Sequence, residues 1–174
     1  MTFAPHHAIV TASDSGIGRA TAVALATSGL DVGITWHTDQ DGAQDTAAEV
    51  RDAGGKAEVA HLDTSDLASC GNVIDELSDR LGGLDVFVNN AGTGSATLAL
   101  DMTIAEWRHV VATDLDGAFV CIQRAARHMV AAGREARVAC VSIRLAPAGT
   151  VACLSSRPAS DRDDAARPGA GDGV

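Results

Sequence analysis

The apolar residues of this chain fall into two alternating rhythms. Short apolar runs over 8–11, 30–36 and 84–88 read as buried strands, and the alternating stretch 57–62 reads as another. Between them, apolar residues recur every three or four positions. Ile17, Ala20, Val23 and Ala24 mark a helix over 16–28, which Gly29 ends. Ala43, Ala47 and Val50 share one face of a helix over 41–53, stopped by Gly54 and Gly55. Leu67, Cys70, Val73, Ile74, Leu77 and Leu81 form the inner face of a third helix over 66–81, with Asp66 as its cap and Gly82 and Gly83 behind it. Thr103 and Glu106 have capping-box spacing at the head of a long helix over 103–132, and a further strand follows over 137–142.

Strands that alternate with helices in this way are joined by right-handed crossovers. The order therefore predicts an α/β fold, a doubly wound parallel sheet of about five strands with helices on both faces. After residue 145 neither rhythm continues. Three Pro and four Gly fall within 147–174, so a disordered tail over 146–174 is expected behind a domain over 1–145.

Composition narrows the chemistry. The 174 residues are 46% apolar but only 3% aromatic, so Ala, Val, Leu and Ile must fill the core of one domain. A net charge of −10 argues against a nucleic-acid partner. No window approaches the ~18 apolar residues of a membrane span, and residues 1–10 lack a basic stretch before a long apolar run, so neither a membrane nor a leader is expected. Cys70, Cys121 and Cys140 sit among apolar or small neighbours without CxxC spacing, which suggests buried free thiols and a reducing cytoplasm. His61, His109 and His128 fall in different elements without repeated i, i+4 pairing, so no metal site is expected. There is no Tyr, and Lys56 is the only Lys, which closes these residues to any mechanism that needs a tyrosine acid.

The stretch VTASDSGIG, residues 10–18, is the strongest candidate for a ligand site. A parallel strand brings the chain to the carboxyl edge of the sheet, and a helix starts at once. Free N–H groups and a partial positive charge gather at that helix end, and glycines admit a diphosphate where a Cβ would collide. Ser13 and Ser15 add hydroxyls. The G-x-G-x-x-G pattern is not met, because Thr21 stands at its third glycine. Taken alone, the turn is either a phosphate cradle or a plain strand-to-helix corner.

Four motifs, in order and at matching spacing, decide more. The turn resembles the T-G-x-x-x-G-x-G turn of the short-chain dehydrogenase/reductase family. LDTSD at 62–66 resembles its adenine-contacting segment, VNNAG at 88–92 its fourth-strand motif, and EWRHVVATDLDGAF at 106–119 its long interface helix. The resemblance covers about residues 8–143. It implies a Rossmann-like fold and NAD(P)-dependent hydride transfer between alcohols and carbonyls. It places Ser13, Ser15, Gly16, Ile17 and Gly18 on the diphosphate, His37 and Asp63 at the adenosine, and Asn90, Ala91 and Gly92 by the nicotinamide ribose. Each has a plainer alternative: a solvated loop residue for His37, a turn carboxylate for Asp63, a side-chain-to-backbone bond for Asn90. Trp36 is either an edge-packing residue or an adenine platform.

The departures matter as much. Ala12 replaces the first glycine of the turn, which is tolerable if its φ is negative. Trp36 and His37 stand where NAD-using members often carry an Asp, so NADP is favoured over NAD. Asp114 replaces the Asn that holds a relay water, and Ser142 lies at or one place before the family's orienting Ser, or is an ordinary strand-end hydroxyl. The Tyr and Lys that should follow are absent. The Arg, Ala, Gly, Pro, Ser and Asp bias of the tail is what a G+C-rich gene yields out of frame, so a frame break between 133 and 144 is expected. An intact downstream frame encoding Tyr-x-x-x-Lys would establish it. Three readings remain open: an impaired oxidoreductase, an inactive dinucleotide-binding module, or a fragment with no independent function, whose helix over 103–132 is free to pair with a copy of itself or a full-length relative.

Overall fold

The computed structural model describes residues 4–133, 137–141, 143–145 and 151–153. Strands β1 (His7–Val10), β2 (Asp31–Trp36), β3 (Ala57–His61), β4 (Val86–Asn89) and β5 (Arg137–Cys140) form one sheet in the order β3-β2-β1-β4-β5, every pairing parallel. Helices α1 (Gly16–Thr27), α2 (Gln40–Asp52), α3 (Cys70–Leu81), α4 (Ile104–Val111) and α5 (Ala118–Ala132) fill the crossovers. The chain winds outward from β1 to β3, then returns to place β4 on the other side of β1. That reversal opens a crevice at the carboxyl ends of β1 and β4, where ligands of such sheets bind. The five-strand Rossmann-like sheet that the sequence predicts is the one observed.

Burial follows the periodicity. Ile9, Ile74, Leu77, Phe87, Cys121 and Ala125 are fully buried in one cluster beneath α3 and α5. Each large side chain there contributes about 1.5–3 kcal/mol. Gly71 lets the two helices approach, since a β-carbon would sit 2.9 Å from Arg124 Cγ. Asp75 of α3 then ties them from the outside, accepting from Arg124 at 2.7 Å and facing His128 Nε2 at 2.9 Å. At the other end of the sheet, buried Asp85 accepts the His6 and His7 N–H groups at 2.8 and 3.1 Å, fixing the start of β1 beside β4.

Four local expectations change. Helix α3 begins at Cys70, not at 66: Asp66 caps a tight turn instead, its carboxylate accepting from Ala68 N and Ser69 Oγ, and Leu67 is left exposed. The long helix forms with its capping box at Thr103 and Glu106, but residues Ala112–Gly117 widen into a π-helical segment. Gly117 lies flat on Thr64 there, where a β-carbon would overlap the Thr64 carbonyl. Cys70 and Cys121 are buried, and burial pushes the Cys121 thiol up to about 12, but Cys140 is exposed on β5. Strand β5 ends at Cys140, and among the described residues beyond it β6 (Ile143–Leu145) and β7 (Val151–Cys153) form an antiparallel pair, which the sequence pattern did not suggest. The rest of the expected tail, 146–150 and 154–174, lies outside the described residues.

Candidate functional site

Thr11 anchors the crevice. Fully buried just past β1, it receives two backbone donors on Oγ1, Asn90 N at 2.9 Å and Ala91 N at 2.8 Å. The loop after β4 therefore hangs from the loop after β1. Asn90 returns the contact, its Nδ2 donating to Thr11 O at 3.0 Å and Ala12 O at 2.9 Å. Both amide protons of Asn90 are thus engaged in the turn, as the side-chain-to-backbone alternative foresaw.

The turn is held from β2 as well. Ala12 N donates to Thr35 Oγ1 at 3.0 Å and Ser13 N to Thr35 O at 2.9 Å. Ser13, expected to offer its hydroxyl to a phosphate, is fully buried. Its Oγ donates to Val10 O at 2.8 Å and accepts from Thr35 N at 3.2 Å, so its proton is spent inside the turn. Ala12 has φ +48°, the sole positive φ of a non-glycine among the described residues, so the negative-φ condition that the sequence set is not met. The turn carries that strain, which its hydrogen bonds offset. Ala12→Gly is accordingly expected to raise stability by about 1 kcal/mol. A urea melt with an unchanged slope and a higher midpoint would register it; a lower midpoint would mean the strain is negligible.

Beyond the turn the backbone is open. Ser15 is the extended N-cap of α1, exposed, with no side-chain bond to the helix, and the first turn carries no acid. The N–H groups of that first turn are therefore left free by the Ser15 side chain, with the carboxyl of Asp14 as the acid nearest the N-cap. Gly16 has φ +54°, and no atom lies within 4 Å of where its β-carbon would be. Ile17 is 40% exposed at the rim. Gly18 faces inward instead: a β-carbon there would overlap Ala12 O and come within 2.8 Å of Ser13 Cα. One glycine leaves room for a ligand, the other for the turn itself. These features fit a diphosphate.

The remainder of the cleft runs across the sheet edge. Ala12, Trp36, His37 and Asp63 line it on one side and Ala91, Gly92, His109 and Thr113 on the other. Trp36 stands edge-on to His61, ring centroids 4.7 Å apart, and lines the cleft as well, so both of its readings have a contact behind them. His37 is exposed, with Nε2 3.7 Å from Asp63 Oδ2. The Ser65 hydroxyl, donating to Asp63 Oδ1 at 2.7 Å, leads in holding that carboxyl below its usual range, with the Ser65 N–H and His37 adding to it. Asp114, in the π-helical segment, accepts from Thr93 N at 2.7 Å, and Gly92 lies against it with room for a β-carbon at 3.4 Å. Its carboxylate positions the loop after β4. Ser142 lies outside the described residues.

Two residues are not singled out for the site by the sequence. His109, on α4, lines the cleft with Thr113 of the π-helical segment. Asp14 sits inside the glycine turn. Burial foremost, and the charge of Asp39 after it, push its carboxyl up.

The family described as short chain dehydrogenase matches residues 6–152. The uncharacterized oxidoreductase YohF of Escherichia coli (strain K12) is 50% identical over 131 residues, which span 75% of this chain and 52% of that protein. The crystal structure of acetoin dehydrogenase YohF from Salmonella typhimurium superposes with a TM-score of 0.75 at 48% identity, covering 79% of this chain and 57% of that one. A short chain dehydrogenase from Burkholderia cenocepacia J2315, solved in complex with NADP, gives 0.69 at 34% identity over 71% of this chain and 51% of its own. The chain spans about half the length of the curated relatives it matches. Among the described residues, no helix is long and apolar enough to cross a membrane.

Proposed function

Because the chain belongs to the short-chain dehydrogenase family, we propose that these residues form the dinucleotide-holding half of an NAD(P)-dependent oxidoreductase and, by themselves, bind the coenzyme without turning over substrate. The observation that carries the reading is the uncapped head of α1 at Ser15 and Gly16, open to solvent beside a cleft that runs to Asp63. The N–H groups of residues 16–18 take the diphosphate, His37 and Asp63 the adenosine, and the loop of Asn90, Ala91 and Gly92 the far ribose. When bound, a nicotinamide dinucleotide supplies or accepts the hydride of an alcohol–carbonyl interconversion.

The chain's own part in that chemistry is incomplete. Asp114 is the acceptor for a water at the reacting end, and the hydroxyl for a carbonyl oxygen is assigned to Ser142 by the family resemblance alone. A carbonyl that receives hydride must also receive a proton, and no Tyr stands in these residues to give one. Loss of a general acid costs about 10²–10⁴-fold in rate.

A second reading concerns assembly. Along the helix from Ile104 to Val130, Ile104, Trp107, Leu115, Phe119 and Val130 are each more than half exposed. Such a stripe suits a second copy of the chain or a full-length relative. One purified sample tests both readings. We expect size exclusion to give a sharp dimer, calorimetry to show heat with a nicotinamide coenzyme, and no consumption of a vicinal hydroxyketone such as acetoin, the substrate named for the Salmonella relative. Rapid turnover would refute the missing acid; a folded sample silent with both NADH and NADPH would refute the cradle; a clean monomer would remove the second reading.

A further inference from the structure

Resting on the reading that this cleft takes a nicotinamide dinucleotide, we infer that it selects the coenzyme with a free adenosine 2′-hydroxyl, NAD, and turns away the 2′-phosphate of NADP, because carboxylates from three elements converge on the end of β2. The sequence alone pointed the other way, since no acid directly follows that strand.

The fold supplies the acids from elsewhere. In dinucleotide folds the ribose hydroxyls meet a residue about 20 positions past the glycine turn, and here that position falls on residues 37–39. Asp39 stands there as the N-cap of α2, with Oδ1 accepting from Gly42 N at 2.9 Å. The glycine turn abuts the same helix end: a β-carbon on Gly42 would lie 2.7 Å from Asp14 O. Asp14 is therefore brought beside Asp39, although the two are far apart in sequence. Asp41 adds a charge in the first turn of α2. The positive end of that helix, the natural seat for a phosphate, is already met by carboxylates. Asp63 closes the far side and holds His37 at 3.7 Å. Burial and the nearness of Asp39 both push Asp14 up, as expected of a carboxyl crowded by a like charge.

The described cations of the neighbouring elements already have partners. Arg19 binds Glu49 at 2.7 Å, Arg51 donates to Ala57 O at 3.3 Å, and Lys56 bonds Arg80 O and lies 3.1 Å from Glu58. Among the described residues, a doubly charged 2′-phosphate would meet these carboxylates with two positive groups at hand: Arg19, which feels the charge of Asp39 but is bonded to Glu49, and His37 when its imidazole is protonated. A hydroxyl instead finds carboxylate oxygens to accept its proton.

The test is calorimetry on the full chain at pH 8, with NADH and NADPH titrated separately into the wild type and Asp14→Asn. NADH should bind at least about tenfold more tightly than NADPH. Asp14→Asn should narrow that ratio severalfold by strengthening NADPH. Equal or tighter binding of NADPH to the wild type overturns the inference while leaving the dinucleotide site intact, and so does an Asp14→Asn protein, folded by circular dichroism, whose ratio is unmoved. Silence with both coenzymes overturns the underlying reading instead.

Discussion

Replacing Gly18 with alanine is expected to destabilise the chain by at least about 3 kcal/mol and to weaken coenzyme binding by about 100-fold or more. The new methyl has nowhere to go. It would overlap Ala12 O and stand 2.7 Å from Asn90 Nδ2, so both groups that build the turn must retreat. Retreat breaks the Asn90 bonds to Thr11 O and Ala12 O and rotates the head of α1 away from the cleft. Ala12 O is backbone, and Asn90 Nδ2, though the end of a side chain, is pinned by two hydrogen bonds, so neither swings aside cheaply. Denaturant melts paired with calorimetry would measure the two losses. Gly16→Ala is the control for the melts: in the free protein its β-carbon meets no neighbour, so stability should change through its positive φ alone, by about 1 kcal/mol, while the added methyl intrudes on the space left for a diphosphate. Equal losses of stability from the two substitutions would contradict the expected steric clash at Gly18.

Thr11→Val should cost about 2–4 kcal/mol although it barely changes the shape of the side chain. The hydroxyl oxygen accepts from both Asn90 N and Ala91 N, and Thr11 is fully buried. Valine would leave two backbone donors facing a methyl, each at about 1–3 kcal/mol when water cannot reach it. Thr11→Ser keeps the oxygen and should lose only about 1 kcal/mol for the missing methyl. A urea midpoint for Thr11→Val close to that of Thr11→Ser would mean that water reaches those donors.

The sheet was legible in the sequence because its strands are short apolar runs that punctuation by glycine isolates. What the pattern could not show was geometry that depends on distant partners. Asp66 has the chemistry of a helix cap, and it caps a turn; the helix waits for Cys70, the first residue that the core can bury. The π-helical widening at Ala112–Gly117 leaves no mark in apolar spacing, because it answers to the contact of Gly117 with Thr64. In the site, the glycines were readable from local steric logic. The fate of the Ser13 hydroxyl was not, since its acceptor Val10 O and its donor Thr35 N are fixed only when β1 and β2 pair. Asp14 was hidden for a similar reason: its neighbour Asp39 arrives only with the end of β2, at the head of α2.

The placement of the tryptophans has a spectroscopic consequence. The chain holds two, and with no tyrosine they own its ultraviolet emission. Trp36 looks into the cleft from beside His61, while Trp107 is 56% exposed on the outer helix. One indole is thus a gauge of occupancy and the other a gauge of self-association, separable in a single cuvette by whether quenching follows added nucleotide or dilution.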